Sequence, residues 1–350
     1  MFSVEIINLN NFSKMKEYWE KLEKGKDMTP FQSYFWYEKI NEYSIANGNE
    51  KNDFYAVAKL DSNPVMIAPI HIINHGISVK GFGIEKGIYI LGTSTHTDYL
   101  SFIYDEFYPE AVEAIIDYVK KKCKLNNFFF EEIIENTEFD KYLSANSDKY
   151  NCATCVEIVP AENFDVYKKS LSKSVRQNLR TAVNRANKDG YELDIDIINC
   201  ISTELAQKLY GIYQSRTATK NSVSQSSVKD MIIGSYYQRY NKKLQQKLDK
   251  YNYLVNAMST DNKNNLIIII KANNEPIGFC YGLKSNNKVS IMTVSFNEEY
   301  SKYSPGMVGI FKYIENDYLS GSPLIFDLTR GNEQYKYKLG GTEHFLNYYK

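Results

Sequence analysis

The chain repeats itself at low resolution, and this repetition restricts the possible folds more than any single motif does. Residues 58–65 read AKLDSNPV and residues 270–277 read IKANNEPI. Each is an apolar segment, a polar turn and a second segment that opens near a proline, which predicts an antiparallel hairpin. Pro276 follows Pro64 by 212 positions. Further on, residues 107–112 (FYPEAV) parallel residues 303–308 (YSPGMV), and each begins a helix with proline near its first turn. Each helix leads into a short apolar strand ending in an acid, FFFE at residues 128–131 and LIFD at residues 324–327. Here proline and acid recur at an offset of 196, so spacing within the halves has drifted. Two similarities in the same order, in halves of matching size, predict tandem copies of one α/β (α+β) fold. Each copy reads as antiparallel strands followed by a β–α–β crossover, a mixed and mostly antiparallel sheet flanked by helices. The strand-like residues 155–159 meet Pro160, which predicts domains 1–160 and 161–350.

Charge narrows the range of partners. The chain has 42 basic and 42 acidic side chains, so no overall field draws it to DNA or to a membrane, and any attraction for anions is local. Residues 1–14 lack a basic start followed by an apolar core, and no window approaches the ~18 continuous apolar residues of a membrane span. These features predict a cytoplasmic protein without an integral membrane segment. The longest apolar run, residues 266–270, is strand-sized. Cys123, Cys152, Cys155, Cys200 and Cys280 are scattered, and His71, His75, His96 and His344 do not complete a ligand set around the lone CxxC. Reduced packing cysteines and no metal are expected. The chain has no GxSxG, no GxxxxGK[ST], and no GxGxxG between a strand and a helix, which argues against a serine hydrolase, a P-loop and a Rossmann site.

Four segments carry candidate chemistry. Residues 172–190 form the clearest helix: Leu171, Val175, Leu179, Ala182, Val183 and Ala186 make one apolar face, and Gly190 is placed to end it. Lys173, Arg176, Arg180 and Lys188 run along another face, either as a solvated surface or as a clamp for phosphates, a polyanionic substrate or RNA. In the second segment, Ser304 can cap a helix that Pro305 begins, and the free N–H groups there suit a pyrophosphate, with Lys302 adding charge. An ordinary capped helix fits equally well. Third, residues 326–341 (FDLTRGNEQYKYKLGG) crowd Asp327, Arg330, Tyr335 and Lys336 behind a buried-looking strand. Asp327 and Arg330 could simply pair, with Tyr335 in the core; alternatively Asp327 is an acceptor and Arg330 and Lys336 hold an anion. Finally, residues 31–40 (FQSYFWYEKI) read as a packing helix, with Trp36 as a candidate for lining a substrate site.

These residues carry a family likeness. The segments FQSYFW (31–36), LSKSVRQNLRTAVNRANKDG (171–190) and the run from Ser304-Pro305-Gly306 to residues 326–341 occur in order. In them the chain resembles the GNAT acyl-CoA N-acyltransferase superfamily. The nearest branch is the tandem-domain one of cellulose- and exopolysaccharide-biosynthesis acetyltransferases, related to the Fem-type aminoacyltransferases. The resemblance implies two GNAT-like domains, the N-terminal one degenerate and structural or acceptor-binding, the C-terminal one binding the acyl donor, acetyl-CoA. The donor's pyrophosphate would meet backbone N–H groups around Ser304, Gly306, Met307 and Val308, although the usual (Q/R)xxGx(G/A) pattern is absent there. A backbone N–H among Thr293, Val294 and Ser295 would hold the oxyanion. Asp327 would accept the amine's proton, Tyr335 would protonate the leaving thiolate, and Arg330, Lys336, Arg176, Arg180 and Trp36 would contact substrate. The acceptor would be a small-molecule or cell-envelope amine. A Fem-type enzyme would instead use aminoacyl-tRNA, although residues 203–253, helical in character, are short for the Fem helical hairpin. A third reading is a binding module without turnover.

Overall fold

The computed structural model describes residues 2–74, 77–79, 82–94, 97–223 and 253–350; His75, His96 and most of the segment after residue 223 lie outside them. The chain forms two compact units, Met1–Cys155 with Glu343–Lys350, and Val156–Thr342. The division falls just before the Pro160 boundary read from the sequence, and the C-terminal strand belongs to the first unit.

In the first unit the strand order is β1 (Phe2–Asn8), β2 (Asp53–Leu60), β3 (Asn63–Ile73), β6 (Gly87–Ser94), β8 (Phe128–Ile134) and β15 (Thr342–Tyr349). The short β4 (Ile77–Val79) and β5 (Phe82–Ile84) pair with each other, and β7 (Ile103–Tyr104) pairs with β3. Helices α1 (Lys16–Leu22), α2 (Tyr34–Ala46), α3 (Pro109–Cys123) and α4 (Glu138–Asn146) flank this sheet. β9 (Lys149–Ile158) carries the chain across the division. Asp140 on α4 is buried and accepts hydrogen bonds from Asn347 Nδ2 at 2.8 Å and the Tyr349 hydroxyl at 2.6 Å, tying β15 to the helix.

In the second unit the order is β14 (Ile325–Arg330), β13 (Lys288–Phe296), β12 (Glu275–Lys284), β11 (Asn265–Ala272) and β10 (Leu193–Ile198). Its helices are α5 (Phe164–Ser170), α6 (Lys173–Lys188), α7 (Thr203–Val223), α8 (Tyr253–Met258), α9 (Pro305–Leu319) and α10 (Gln334–Lys338). Residues 266–270 of β11 are buried on both faces, as expected for an unbroken apolar run at the middle of a sheet. Helices α6 and α9 close one core, with Val175, Leu179, Ala182 and Ala186 meeting Val308, Ile310 and Ile314 over the sheet. Gly190, at φ 84°, ends α6 as predicted.

The repeat read from the sequence is a repeat of backbone register. β2–β3 and β11–β12 are both hairpins with two-residue turns. Asp61 and Ser62 (φ 47° and 71°) match Asn273 and Asn274 (φ 50° and 68°), the left-handed pair that fits the twist of the strands. In each hairpin the register slips once, where Lys59 faces Pro64 and Lys271 faces Pro276. Proline has no N–H for the ladder, so a bulge there is the natural accommodation. Pro109 and Pro305 each start the helix of a parallel crossover, β6–α3–β8 and β13–α9–β14. The molecule is thus two tandem units, each with a mixed, mostly antiparallel sheet flanked by helices.

Candidate functional site

The site is built on the β13–α9–β14 crossover of the second unit. β13 and β14 pair in parallel only through Lys288–Ile325, Val289–Phe326 and Ser290–Asp327. At the next residue the link is a side chain: the Thr329 hydroxyl donates to the Ile291 carbonyl at 3.0 Å. Thr329 itself has φ 54°, which turns β14 away. On its other side β13 stays paired to β12 as far as Phe296, with a bulge beside Tyr281 and Gly282. The two parallel strands therefore diverge, and residues 293–295 lie along the edge that opens.

The start of α9 sits on that opening. A Cβ on Gly306 would lie 3.1 Å from Val294 Cγ1 and 3.5 Å from Phe296 Cε1, so glycine lets the helix backbone approach this closely without Val294 giving way. Gly309 does the same one turn on, where a Cβ would lie 2.7 Å from Ile270 Cγ1. Pro305 occupies the first helical position, as expected. Ser304 does not cap the helix with its side chain, contrary to the sequence reading. Its backbone is left-handed (φ 48°, ψ 49°) rather than in the extended conformation from which a side chain caps a helix. The first intrahelical bond runs from Val308 N–H to the Ser304 carbonyl, so the N–H groups of Gly306 and Met307 precede the ladder and carry the positive end of the helix dipole. Lys302 does not add its charge to this terminus. Its ammonium pairs with Asp189 at 2.8 Å, which also accepts from the Tyr303 hydroxyl, and both contacts hold the Asp189 carboxyl below its usual range.

The polar side chains behind β14 are mostly structural. Asp327 is fully buried. It accepts from the Thr329 N–H at 2.8 Å and the Ser290 hydroxyl at 3.2 Å, with the Lys288 ammonium 3.9 Å away. A carboxylate sealed in this way anchors the strand pair and offers no face to an incoming amine. Lys336 is 2% exposed. Its ammonium donates to the carbonyls of Thr329 (3.1 Å), Arg330 (2.7 Å) and Gly331 (3.0 Å) and lies 3.0 Å from Glu333. Every N–H it has is engaged in closing this turn, so it does not orient an anionic ligand. Arg330, at the end of β14, is exposed.

Tyr335 on α10 packs partly buried against the core. Burial, followed by the nearby Glu333, raises its phenol above the ordinary value, so it remains protonated throughout the physiological range. Among the described residues one side chain at this place had no sequence signal. Arg216 on α7 lays its guanidinium 3.8 Å above the Phe296 ring, and its charge opposes the rise that burial causes in the pKa values of Cys280 and Tyr335. Sequence spacing gives no hint of it, because its aromatic partner is remote in the chain.

The basic helix is less available than its sequence suggests. Arg176 donates to the carbonyls of Lys169 at 2.9 Å and Leu171 at 2.6 Å, which caps the end of α5. Arg180 donates to Gln177. Both still line a cavity of about 570 Å³ between α6 and α9, with Leu179, Phe311, Lys173 and Lys312. Trp36 is remote from all of this in sequence and is completely buried in the first unit, where its indole N–H donates to the Thr97 hydroxyl at 3.0 Å. Packing explains it, and it lines no substrate surface. No described cluster of three or more His, Cys, Asp or Glu could hold a metal ion, and no described helix is long and apolar enough to cross a membrane.

Comparison with known proteins bears on the same segment. Residues 173–337 match the family described as acetyltransferase (GNAT) domain. No curated protein matches the chain. Among solved structures it is similar to a conserved protein of unknown function from Bacteroides thetaiotaomicron, at 10% identity over 100% of both chains and a TM-score of 0.55. It is also similar to the C-terminal domain of a putative lysylphosphatidylglycerol synthetase from Agrobacterium fabrum, at 9% identity over 97% of this chain and 91% of that one, with a TM-score of 0.53. A tandem GNAT protein from the clavulanic acid biosynthesis pathway matches at 7% identity over 100% of this chain and 98% of that one, with a TM-score of 0.48. For the first two of these, at such identities, the likeness is one of fold alone.

Proposed function

We propose, on the premise that the second unit is a GNAT domain, that this chain is an N-acyltransferase that moves an acetyl group from acetyl-CoA to an amine. The observation that supports this most is the meeting of two features: the diverging β13–β14 pair, and the start of α9 seated on Val294 and Phe296 beside it. An extended thioester arm fits such an opening, and the donor's pyrophosphate fits the N–H groups of Gly306 and Met307.

In this reading the amine nitrogen attacks the thioester carbonyl, the C–N bond forms and the C–S bond breaks. A backbone N–H among residues 293–295 stabilises the oxyanion. The protonated Tyr335 phenol passes its proton to the departing thiolate. Because Asp327 is sealed, the amine's proton leaves to water.

Ser304→Asp tests the donor site. The exposed position has a left-handed backbone that aspartate tolerates, and a carboxylate at a helix start stabilises by about 0.3–1 kcal/mol. The same charge repels a pyrophosphate. Acetyl-CoA at ~100 times its dissociation constant should stabilise the wild type by about 2.7 kcal/mol, and the variant should lose most of that gain while folding normally. Absence of any shift in the wild type at millimolar acetyl-CoA would reject the acyl-CoA donor. A second reading, an aminoacyl-tRNA donor, is favoured by the basic cavity between α6 and α9. Tighter retention of aminoacyl-tRNA than of acetyl-CoA, lost on changing Lys173 and Arg180, would select it.

A further inference from the structure

Arg216 is costly where it stands. Its side chain is 20% exposed, and its Nε and Nη1 atoms are buried with no hydrogen-bond partner among the described residues. Among the described carboxylates Glu298 comes within ion-pair distance, with Oε1 4.0 Å from Nε, beyond hydrogen-bond reach. Burial is the main influence on the guanidinium and lowers its pKa from the ordinary value. A buried N–H that makes no hydrogen bond costs about 1–3 kcal/mol, and more on a charged group. The Phe296 ring below the guanidinium offsets part of this and fixes its plane, since an arginine stacked on an aromatic face keeps its edge free.

We propose that this edge receives a carboxylate carried by the acceptor, so that the amine acylated here belongs to an amino acid or a similar amino-carboxylate. The inference rests on the acyltransferase reading and names the class of its acceptor. Three observations support it. The guanidinium is stacked on Phe296, and Phe296 also supports the start of α9, so the anion would sit beside the diverging strands. Burial dominates the pKa of the Tyr335 phenol, but the Arg216 charge acts on it in the opposite direction, so the recognised group lies in the neighbourhood of the proposed acid. Glu298 also halves the case for a phosphate: with one carboxylate already 4.0 Å away, a single cation is balanced better against a monoanion than a dianion. Nε–H and Nη1 point to opposite sides of a guanidinium, so a planar carboxylate binds Nη1 together with Nη2 across the end of the fork.

The experiment compares wild type with Arg216→Met, which keeps the length of the side chain over Phe296. Thermal unfolding is followed in potassium acetate, potassium phosphate and potassium chloride at equal ionic strength, and separately with acetyl-CoA. A site with a dissociation constant of about 10 mM should raise the midpoint by roughly 3–6 °C in 100 mM acetate over chloride. The expected result is that R216M loses this acetate shift and keeps the acetyl-CoA shift. Equal acetate shifts in both proteins, or none in the wild type, would overturn the proposal. Loss of the acetyl-CoA shift in R216M, or a larger response to phosphate than to acetate, would assign Arg216 to the donor and overturn it too. If R216M does not fold, Arg216→Lys decides: it keeps the charge without the planar fork, so an undiminished acetate shift counts against a bidentate site. An acetate shift without any acetyl-CoA shift in the wild type would leave the anion site standing and remove the acyltransferase reading alone.

Discussion

Replacing Lys336 by methionine separates the two roles open to that residue. The ammonium is almost wholly buried and donates to three carbonyls of the turn after β14, with Glu333 at 3.0 Å. Methionine retains most of the aliphatic stem, so the loss falls on the charge and its bonds. Breaking a buried ionic cluster costs about 3–5 kcal/mol when the partners stay buried. Here Glu333 is 52% exposed and can rehydrate, which points to the lower end, about 3 kcal/mol. For a unit of this size that corresponds to a midpoint roughly 6–12 °C lower. Urea unfolding measures the free energy, and acetyl-CoA titration well below the midpoint measures the site. The expectation is a destabilised protein whose donor affinity, while folded, is unchanged. Stability within about 0.5 kcal/mol of wild type together with lost ligand binding would refute the structural assignment and return Lys336 to the site.

Gly309→Ala places a methyl group 2.7 Å from Ile270 Cγ1 and should destabilise by about 1–3 kcal/mol despite alanine's better helix propensity; a gain in urea resistance would show that α9 can shift outward freely. Tyr335→Phe should keep the acetyl-CoA shift and lower thiol release by about 10²–10⁴-fold, with the wild-type rate showing no loss of the acid up to pH 9, because burial raises the phenol's pKa. Full turnover in that variant would remove the acid role. Asp189 has a folded pKa below its unfolded one, so the stability it adds is present above the unfolded value, near 3.8, and fades as pH falls through the folded value. Asp189→Asn should therefore melt earlier than wild type at pH 7, and the gap should close as pH falls through the lowered folded value; a constant gap would mean that its carboxylate charge is not what matters.

The fold was legible where its cause is local. Two-residue turns, a proline at the first position of a helix and a period-3.6 face on α6 are written in adjacent residues, and both hairpins and both crossovers follow from them. The site was legible as a place but not as a set of roles. Lys336 and Arg176 read as anion ligands because a cation in a sequence looks the same whether it faces a ligand or a carbonyl. Backbone groups five to seven residues back take both of them. Asp327 read as an acceptor because burial on both sides of β14 is a tertiary outcome. Ser304 read as a cap because a left-handed serine before proline is not what local preference selects. Arg216 was invisible for the opposite reason: its meaning depends on Phe296, which packing alone brings beneath it.

The tie between Asp140 and β15 has a consequence for the order of folding. Its two hydrogen bonds span 207 and 209 residues, and everything in between, including the whole second unit, must be synthesised first. A ribosome delivers the first unit's helices and hairpins early, yet that unit lacks a strand until the second unit has been made. During that interval β8 has an open edge, the kind of surface on which nascent strands pair wrongly. Of these two units, the one that emerges earlier is completed later, and the second unit folds while its predecessor is still waiting.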